Sequence, residues 1–360
     1  MIAASSWSRD GGARRRRREL ADIEHLRTQP GLFGAVASDS TVWRTFHEIT
    51  PVTRGALKAA LAETRRSVWS RSSVTGGDDL VVLDVDASLV DIHTGDKEGT
   101  GPNYKSGFGF HPLFDFADAT GECLAQMLRP GNANAGTVAD HLHLLGEAIA
   151  QLPNEIAQGH REGDDVPLAT REVVIRSDSA GCAVGFLSGC LARSVSFSVI
   201  ARRTTQVEAA IFNAIGIEEV WSPAIRQDGA FRTGAAVAEL TSLVDLSAYP
   251  DGTRLIVRRE PLRPGAQRSL FPSLEFRYWG QYTDREGDPV TLDADMRAHA
   301  HVEEHIGRLK VSGLLRFPFS NLEANCNWLL LIAAAADLVR WFQLLCLDGA
   351  LAGDHPKTLR

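Results

Sequence analysis

The segment Leu80–Val90 limits the possible folds more than any other part of the chain. Its sequence, LVVLDVDASLV, reads as a strand on which side chains alternate between two faces. One face is wholly apolar, and Asp84 and Asp86 lie next to each other on the opposite face. Two neighbouring carboxylates on a buried strand are costly unless a cation meets them. The segment therefore indicates either a strand that presents two acids to a metal ion or an edge strand with solvated aspartates.

The order of the other expected elements indicates an α/β fold with a mixed sheet. The order is three strands, a helix, a strand, a helix and a strand, after which a β-rich stretch precedes two C-terminal helices. The expected strands span residues 107–117, 122–128, 172–175 and 195–201, the β-rich stretch spans 226–290, and the expected helices span 137–151, 292–312 and 321–347. Short helices broken by Pro30 and Pro51 are expected before residue 70. This order alone does not select a function.

The overall charge of the chain argues mildly against nucleic acid as a partner. The formal net charge is −7, whereas nucleic-acid binders are often basic. Local arginine stripes weaken this argument, because an enzyme with an acidic metal site can be basic elsewhere. One stripe consists of Arg254, Arg258, Arg259, Arg263 and Arg268, and another of Arg65, Arg66 and Arg71. The unbroken run Arg14–Arg18 is interpreted as part of a disordered basic arm that covers residues 1–19.

The cysteines and the apolar runs bear on the cellular compartment. Five scattered cysteines without a C-x-x-C pair indicate reduced thiols rather than disulfides or a zinc site. The N-terminus has no apolar stretch typical of a secretory signal. The longest apolar run, Trp328–Ala336, is too short to span a bilayer and suits a buried helix. We therefore expect a cytoplasmic protein without a membrane partner, located at the nucleoid if it binds DNA.

Two further acids lie where they can share a site with Asp86. Asp178 ends a short apolar strand, where it is equally suited to cap the following helix. Glu303 lies on a predicted helix, HAHVEEHIGRLK, with Lys310 on the same face about 10 Å along the axis. Taken alone, that face is typical of a solvated surface helix. Together, two strand-end aspartates and a helix glutamate can hold two metal ions for phosphodiester chemistry, with Lys310 binding a phosphate.

The same helix also contains a competing motif. His301-Val302-Glu303-Glu304-His305 matches H-x-x-E-H, the inverted pattern of some zinc proteases. In that interpretation His301 and His305 bind zinc and Glu304 is the general base. A third protein ligand would have to come from the last 55 residues, whose acids lie in or beside a largely apolar helix. The motif also leaves Asp86 and Asp178 without a role, so the phosphodiester interpretation is preferred.

A series of longer motifs occurs in order along the chain. They are QPGLFGAVASDSTVWRT from Gln29, LDVDASLVDIHTGDKEG from Leu83, GFHPLFDF from Gly109, IRSDSAG from Ile175, RLIVRR from Arg254, HAHVEEHIGRLKVSGLLRFPF from His299 and ANCNWLLL from Ala324. The series resembles the DDE transposases of bacterial insertion sequences, in the group numbered thirteen-eighty, which is related to the larger group numbered four. The resemblance runs from about residue 20 to the C-terminus.

The resemblance implies a fold and a set of site residues. The fold is an RNase H-like catalytic core with a mixed sheet, interrupted by a β-rich insertion. The implied catalytic and metal-binding triad is Asp86, Asp178 and Glu303, with Asp84 as the alternative metal ligand. The implied or candidate DNA contacts are Lys310, Arg258, Arg259 and His299. Group four carries Tyr and Arg where this chain has Met296 and His299, seven and four positions before the glutamate.

The implied organisation has four parts. They are an N-terminal helical, DNA-binding remnant over residues 1–70, the first part of the core over 71–225, the β-rich insertion over 226–290, and the catalytic and C-terminal helices over 291–360. Because family members usually carry more sequence at both ends, we expect a truncated copy.

The implied activity is DNA transposition. The enzyme would cleave phosphodiesters at the ends of an insertion sequence and transfer the 3′-hydroxyl ends to target DNA, using two Mg²⁺ ions or Mn²⁺ as a substitute. Its partners would be double-stranded DNA, as terminal inverted repeats and target, and a second copy of the chain when DNA is bound. The alternative is an inactive remnant that binds DNA without cutting it. The zinc protease is a remote third candidate.

Overall fold

The computed structural model describes residues 23–72, 80–93, 97–165, 168–262 and 276–353. The predicted basic arm at residues 1–19 lies outside these ranges. Arg263 and Arg268, from the first arginine stripe, also lie outside them.

Among the described residues, four helices precede the sheet, and local sequence accounts for where the longer two begin. They are α1 (Ile23–Arg27), α2 (Pro30–Phe33), α3 (Asp39–Glu48) and α4 (Pro51–Trp69). The Ser38 hydroxyl accepts a hydrogen bond from the Thr41 amide, and the Thr50 hydroxyl accepts one from the Thr53 amide. Both side chains thereby satisfy an amide that has no partner within its helix. Pro51 occupies the first turn of α4, where its fixed φ suits the helix and no donor is lost.

Within the described residues, nine strands form one mixed sheet. The strands before residue 201 are β1 (Leu80–Ala87), β5 (Leu113–Ala117), β6 (Glu122–Met127), β7 (Glu172–Ser177) and β8 (Val195–Ile200). Their spatial order is β6-β5-β1-β7-β8. The strands β1, β7 and β8 are parallel to one another. On the other side of β1, β5 pairs antiparallel with β1, and β6 pairs antiparallel with β5. The expected first strand and the mixed α/β fold are therefore confirmed.

The β-rich stretch continues the same sheet. It contains β10 (Phe231–Glu239), β11 (Arg254–Pro261) and β12 (Phe276–Thr283), and β9 (Ser222–Ile225) lies directly before it. The strand β12 pairs antiparallel with β8, and the order outward is β12-β11-β10-β9. Three short strands form a separate sheet: β2 (Val90–Asp91), β3 (Gly101–Pro102) and β4 (Phe108–Phe110).

Helices cover both faces of the sheet. One face packs on α5 (Val138–Gln151), α7 (Val184–Leu191) and α8 (Thr205–Ala214), and Leu83 and Val85 of β1 are buried there. The opposite face of β5, with Phe114 and Phe116, packs on α10 (Val302–Leu309) and α11 (Leu322–Cys346). The helix α6 (Asn154–Ala157) leads towards β7, and α9 (Pro289–Arg297) precedes α10. Because side chains alternate along β1, Asp84 and Asp86 point away from the apolar layer that buries Leu83 and Val85.

The helix α11 confirms the helix expected over residues 321–347, and the apolar run Trp328–Ala336 lies within it. It has 25 residues, and by length and composition it is the one helix in the described ranges that could cross a membrane. It is also a packed helix of this fold, because Leu329, Ile332 and Ala333 lie in the core against β5. Asp337, halfway along, is buried and paired with Arg65 of α4.

Candidate functional site

Asp86 and Asp178 lie side by side at the carboxyl edge of the sheet. Asp86 is the penultimate residue of β1, and Asp178 directly follows β7. The two strands are parallel neighbours, and their last register pair is Val85 with Ser177, so the next residue on each strand is an aspartate. Both aspartates line one small cleft of about 150 Å³, together with Tyr104, His111 and His141.

Backbone amides orient both carboxylates. Asp86 Oδ1 accepts a hydrogen bond from the Ala87 amide at 2.7 Å. Asp178 Oδ1 accepts one from the Ala180 amide at 2.8 Å, and Asp178 caps the single 3-10 turn Ser179–Gly181. The capping role that its sequence position suggested therefore coexists with its place in the cleft.

Burial and nearby charges shift the pKa of Asp86. It is raised to about 6, first by burial and then by the negative charges of Asp178 and Glu303, against the Ala87 hydrogen bond and the charge of His299. A carboxyl in this position is stabilised by any cation that enters the cleft. Because charges act at short range, Glu303 belongs to the same electrostatic environment as the two aspartates.

Glu303 comes from the opposite side of the site. It lies in the first turn of α10 with an exposed side chain, after a 3-10 turn at Ala298–His301. In the described part of the chain, Asp86, Asp178 and Glu303 form no ion pair with a lysine or arginine. Nor does that part hold three His, Cys, Asp or Glu side chains already arranged as a metal cage. The donor set suits Mg²⁺, which takes a few carboxylate oxygens and keeps water for the rest.

Asp84 is not available as the alternative metal ligand. Its side chain is fully buried, and Arg176 donates to both of its oxygens at 2.8 and 2.6 Å. His299 Nδ1 lies 2.7 Å from Asp84 Oδ1. Although burial acts to raise the pKa of Asp84, these hydrogen bonds hold it below its usual value. The structure thus separates two neighbouring aspartates that the sequence alone left nearly equivalent, and it also places His299 on Asp84 rather than on an open DNA surface.

Arg258 and Arg259 are buried and paired, which corrects their assignment as DNA contacts. Arg258 donates to Asp293 at 2.8 Å, and Arg259 makes two hydrogen bonds to Glu218 at 3.0 and 2.5 Å. Each is only 9% exposed. Both guanidinium groups also lie over aromatic rings, with Arg258 4.9 Å from the Trp279 ring centre. An arginine buried and paired in this way lacks the exposure needed to bind a phosphate.

The zinc-protease motif is not assembled. His301 Nδ1 lies 3.0 Å from Asp118, and Glu304 accepts a hydrogen bond from Arg308. His305 is buried against Phe116, with neither ring nitrogen bonded to any described residue. Burial lowers the pKa of His305 to about 4, so it is neutral at physiological pH. The described ranges offer no third ligand to complete a zinc site there.

A basic groove that sequence reasoning missed lies beside the aspartate cleft. Register with β8 begins only at Gln281, so the first half of β12 extends past the carboxyl edge of the parallel strands. An open groove of about 740 Å³ lies there, and its basic lining residues Arg202, Arg203 and Arg277 are exposed. Arg202 also donates to the Ser179 carbonyl, one residue beyond Asp178. The adjacent pair Arg202-Arg203 after a predicted strand was the available signal in the sequence.

The fold and the paired strand-end acids define an α/β protein with an acidic candidate active site at the carboxyl edge of its sheet. The chain belongs to the DDE transposase family, since the family model described as transposase DDE domain group 1 matches residues 17–360. Membership supports a transposase function, and proteins of this family generally use divalent metal ions.

Two other comparisons add little. A piggyBac transposase, solved as a synaptic complex with hairpin DNA, is similar in structure with a TM-score of 0.38 and 11% sequence identity. The match covers 72% of this chain and 46% of that one, so this chain spans about half the length of that transposase. No curated protein sequence matches the chain.

Proposed function

We propose that this protein is a DNA transposase of the bacterial insertion-sequence group numbered thirteen-eighty, and that Asp86, Asp178 and Glu303 are its catalytic triad. The observation that carries the proposal is the meeting of Asp86 and Asp178 on neighbouring strand ends, with the charge of Glu303 acting on the same cleft. The ordered motifs support the particular group.

The strand order supports an RNase H-like core. Taken in chain order, β1, β5, β6, β7 and β8 lie in the sheet as third, second, first, fourth and fifth. The first three are antiparallel, and the last two join β1 in parallel. In this proposal the strands β10–β12 lie in an insertion that lengthens the sheet before the chain returns through α9 to the catalytic helix, and β9 directly precedes the insertion. The proposed boundaries remain 71–225, 226–290 and 291–360.

In this proposal the three carboxylates bind two metal ions. Asp86 and Asp178 would hold the first Mg²⁺ through oxygens on adjacent strands, and Glu303 would complete a second site from α10. Divalent ions bound there supply an activated hydroxyl and stabilise the leaving oxygen of a phosphodiester. The protein positions the acids and neutralises charge, and no covalent intermediate with a side chain is needed. Glu303 is exposed and unpaired within the described residues, so it is free to turn towards the aspartates.

We place the DNA path along the basic groove and past Lys310. Lys310 is exposed at the end of α10, about 10 Å along the helix from Glu303. Arg203 and Arg277 line the groove on the other side of the cleft. Pairing of two element ends calls for two copies of the chain on DNA. We place the reaction at the nucleoid in the cytoplasm.

Three single substitutions test the triad. Asp86→Asn, Asp178→Asn and Glu303→Gln each keep the shape of the side chain and remove the charge that holds metal. We expect each to reduce Mg²⁺-dependent nicking of DNA from the flanks of the gene by at least about a thousandfold, because transition-state charge stabilisation is lost. Mn²⁺ should replace Mg²⁺ in the wild type.

Glu304→Gln is the matched control, since Glu304 is the adjacent exposed acid and bonds to Arg308 on its own helix. It should nick at close to the wild-type rate. Wild-type rates in the triad variants would refute the triad. A wild type that binds the flanking DNA but never cleaves it would favour the inactive remnant.

A further inference from the structure

A chain of charged groups joins the strands that carry the aspartates to the segment that carries Glu303. Arg176 on β7 is its centre, and it contacts Asp84 on β1 at 2.6 Å and Asp118 at 2.9 Å. His299 bonds to Asp84 at 2.7 Å, and His301 bonds to Asp118 at 3.0 Å. We call these five residues the brace.

The brace is built around buried groups. Asp84 is 0% exposed and Arg176 is 4% exposed, while His301 lies at the surface. Arg176 Nη1 also donates to the Asp295 carbonyl of α9 at 2.7 Å. Side chains paired in this way hold one geometry, because every alternative leaves a buried charge without a partner.

Each end of the brace lies close in sequence to a proposed metal ligand. Asp84 is two residues before Asp86, and Arg176 is two residues before Asp178. His299 and His301 are four and two residues before Glu303. The brace therefore connects all three ligand-bearing segments, although no member of it reaches the cleft as a lining residue.

The contacts of His299 and His301 bear on how α10 begins. The chain changes there from α9 through the 3-10 turn at Ala298–His301 to α10, and no side chain caps α10 at its N-terminus. The chain stays helical throughout, since Arg297, Ala298 and His301 all have helical φ/ψ, so the backbone carries the helix from α9 into α10. The tighter 3-10 turn changes the helical rotation just before Glu303. The contacts of His299 and His301 hold this turn against Asp84 and Asp118.

We propose that the brace is a positioning device that aligns Glu303 with Asp86 and Asp178 for metal binding. His299 is its key positioning residue, because it alone links the buried Asp84 to the turn before Glu303. Groups that orient metal ligands from behind typically change metal affinity or activity by about 10- to 100-fold when they are removed. This inference rests on the proposed triad and adds to it a role for residues outside the cleft.

The test measures binding of Mn²⁺ alone to the full chain by calorimetry and electron paramagnetic resonance. His299→Leu removes the donor to Asp84 and leaves Arg176 to pair that carboxylate. We expect the Glu303-dependent Mn²⁺ affinity to fall by about 10- to 100-fold, with little change in the thermal midpoint. His299→Asn keeps a donor at the position of Nδ1 and should remain within about threefold of the wild type. Glu304→Gln should bind Mn²⁺ as the wild type does.

A double-mutant cycle separates positioning from general stability. In a Glu303→Gln background, His299→Leu should cause no further loss of Mn²⁺ affinity, because its effect passes through Glu303. Additive losses, or an unchanged affinity in His299→Leu, would overturn the brace while the triad stands. Wild-type protein with no Asp86-dependent Mn²⁺ binding would overturn the proposed function and the brace together.

Discussion

Asp115 is a carboxyl buried in the centre of the sheet. It lies on β5 opposite Val85, is 0% exposed, and neither of its oxygens has a hydrogen-bond partner among the described residues. Burial, with a smaller effect of Asp84, raises its pKa well above the usual value. Folding therefore favours the protonated form of this carboxyl, whereas the unfolded chain ionises it more readily.

This placement makes Asp115 a source of pH-dependent instability. The pKa of Asp115 is higher in the folded protein than in the unfolded chain. Asp115 therefore lowers the free energy of unfolding least below about pH 4, the unfolded pKa, and stability falls as the pH rises above that value. We expect Asp115→Leu to raise the free energy of unfolding at pH 7 by about 1–3 kcal/mol, the usual cost of an unsatisfied buried polar group. Urea titrations at pH 4 and pH 7 would measure it. A gain that is equal at both pH values, or a loss at pH 7, would contradict this account.

At the scale of elements, α4 is joined to the sheet and to α11 by a buried arginine. Arg65 is 1% exposed and bonds to Glu122 of β6, Asp337 of α11 and Gln151 of α5 at 2.7–2.8 Å. The expected basic stripe at Arg65, Arg66 and Arg71 is thus divided, with its first member in the core. The helix α4 is consequently part of the packed body of the described fold.

The arginines on α4 offer a matched pair of substitutions. Arg65→Met leaves two carboxylates buried without their cation, and it should lower the free energy of unfolding by about 3–5 kcal/mol. Arg66→Met removes only an exposed pair with Glu63 and should cost about 0–1 kcal/mol. Thermal and urea unfolding of both variants would give the comparison. Similar losses at the two positions would show that the buried network contributes little.

At the scale of the whole molecule, the proposed function requires DNA to approach a protein with a net charge of −7. Many of its arginines neutralise acids internally, as Arg65, Arg176, Arg258 and Arg259 do. In the proposed function, the basic groove and Lys310 would therefore supply the phosphate contacts near the cleft. An exposed pair such as Arg203 with Glu208, at 3.3 Å, is weak and can exchange for a phosphate.

The salt dependence of DNA binding tests this path. Each phosphate contact removed should lower the slope of log affinity against log salt by about one. Replacing Arg203 and Arg277 with alanine should therefore reduce the slope by about two, and adding Lys310→Ala by about one more. Arg161→Ala, an exposed arginine in the chain before β7 at the opposite edge of the sheet, is the control and should leave the slope near that of the wild type. A slope unchanged in the triple variant would move the DNA path away from the groove.

The sequence alone determined those features that follow from short-range periodicity. Alternation along Leu80–Ala87 was enough to place Leu83 and Val85 in the core and both aspartates on the other face, because the period of a strand is two. The order of strands and helices predicted the mixed α/β sheet. The position of Asp178 at a strand end, and of Glu303 on a late helix, was also visible.

Only the tertiary structure decided which charged groups are available for chemistry. Asp84 and Asp86 have similar local sequence. Arg176 and His299, which are 92 and 215 residues from Asp84, bind the Asp84 carboxylate, and Asp86 remains in the cleft. In the sequence, Arg258 and Arg259 belong to a basic stripe. In the structure they pair with Asp293 and Glu218, 35 and 41 residues away. Ion pairs between distant elements depend on how those elements pack. No local pattern encodes that packing, and it determines which charges remain free to bind metal or DNA.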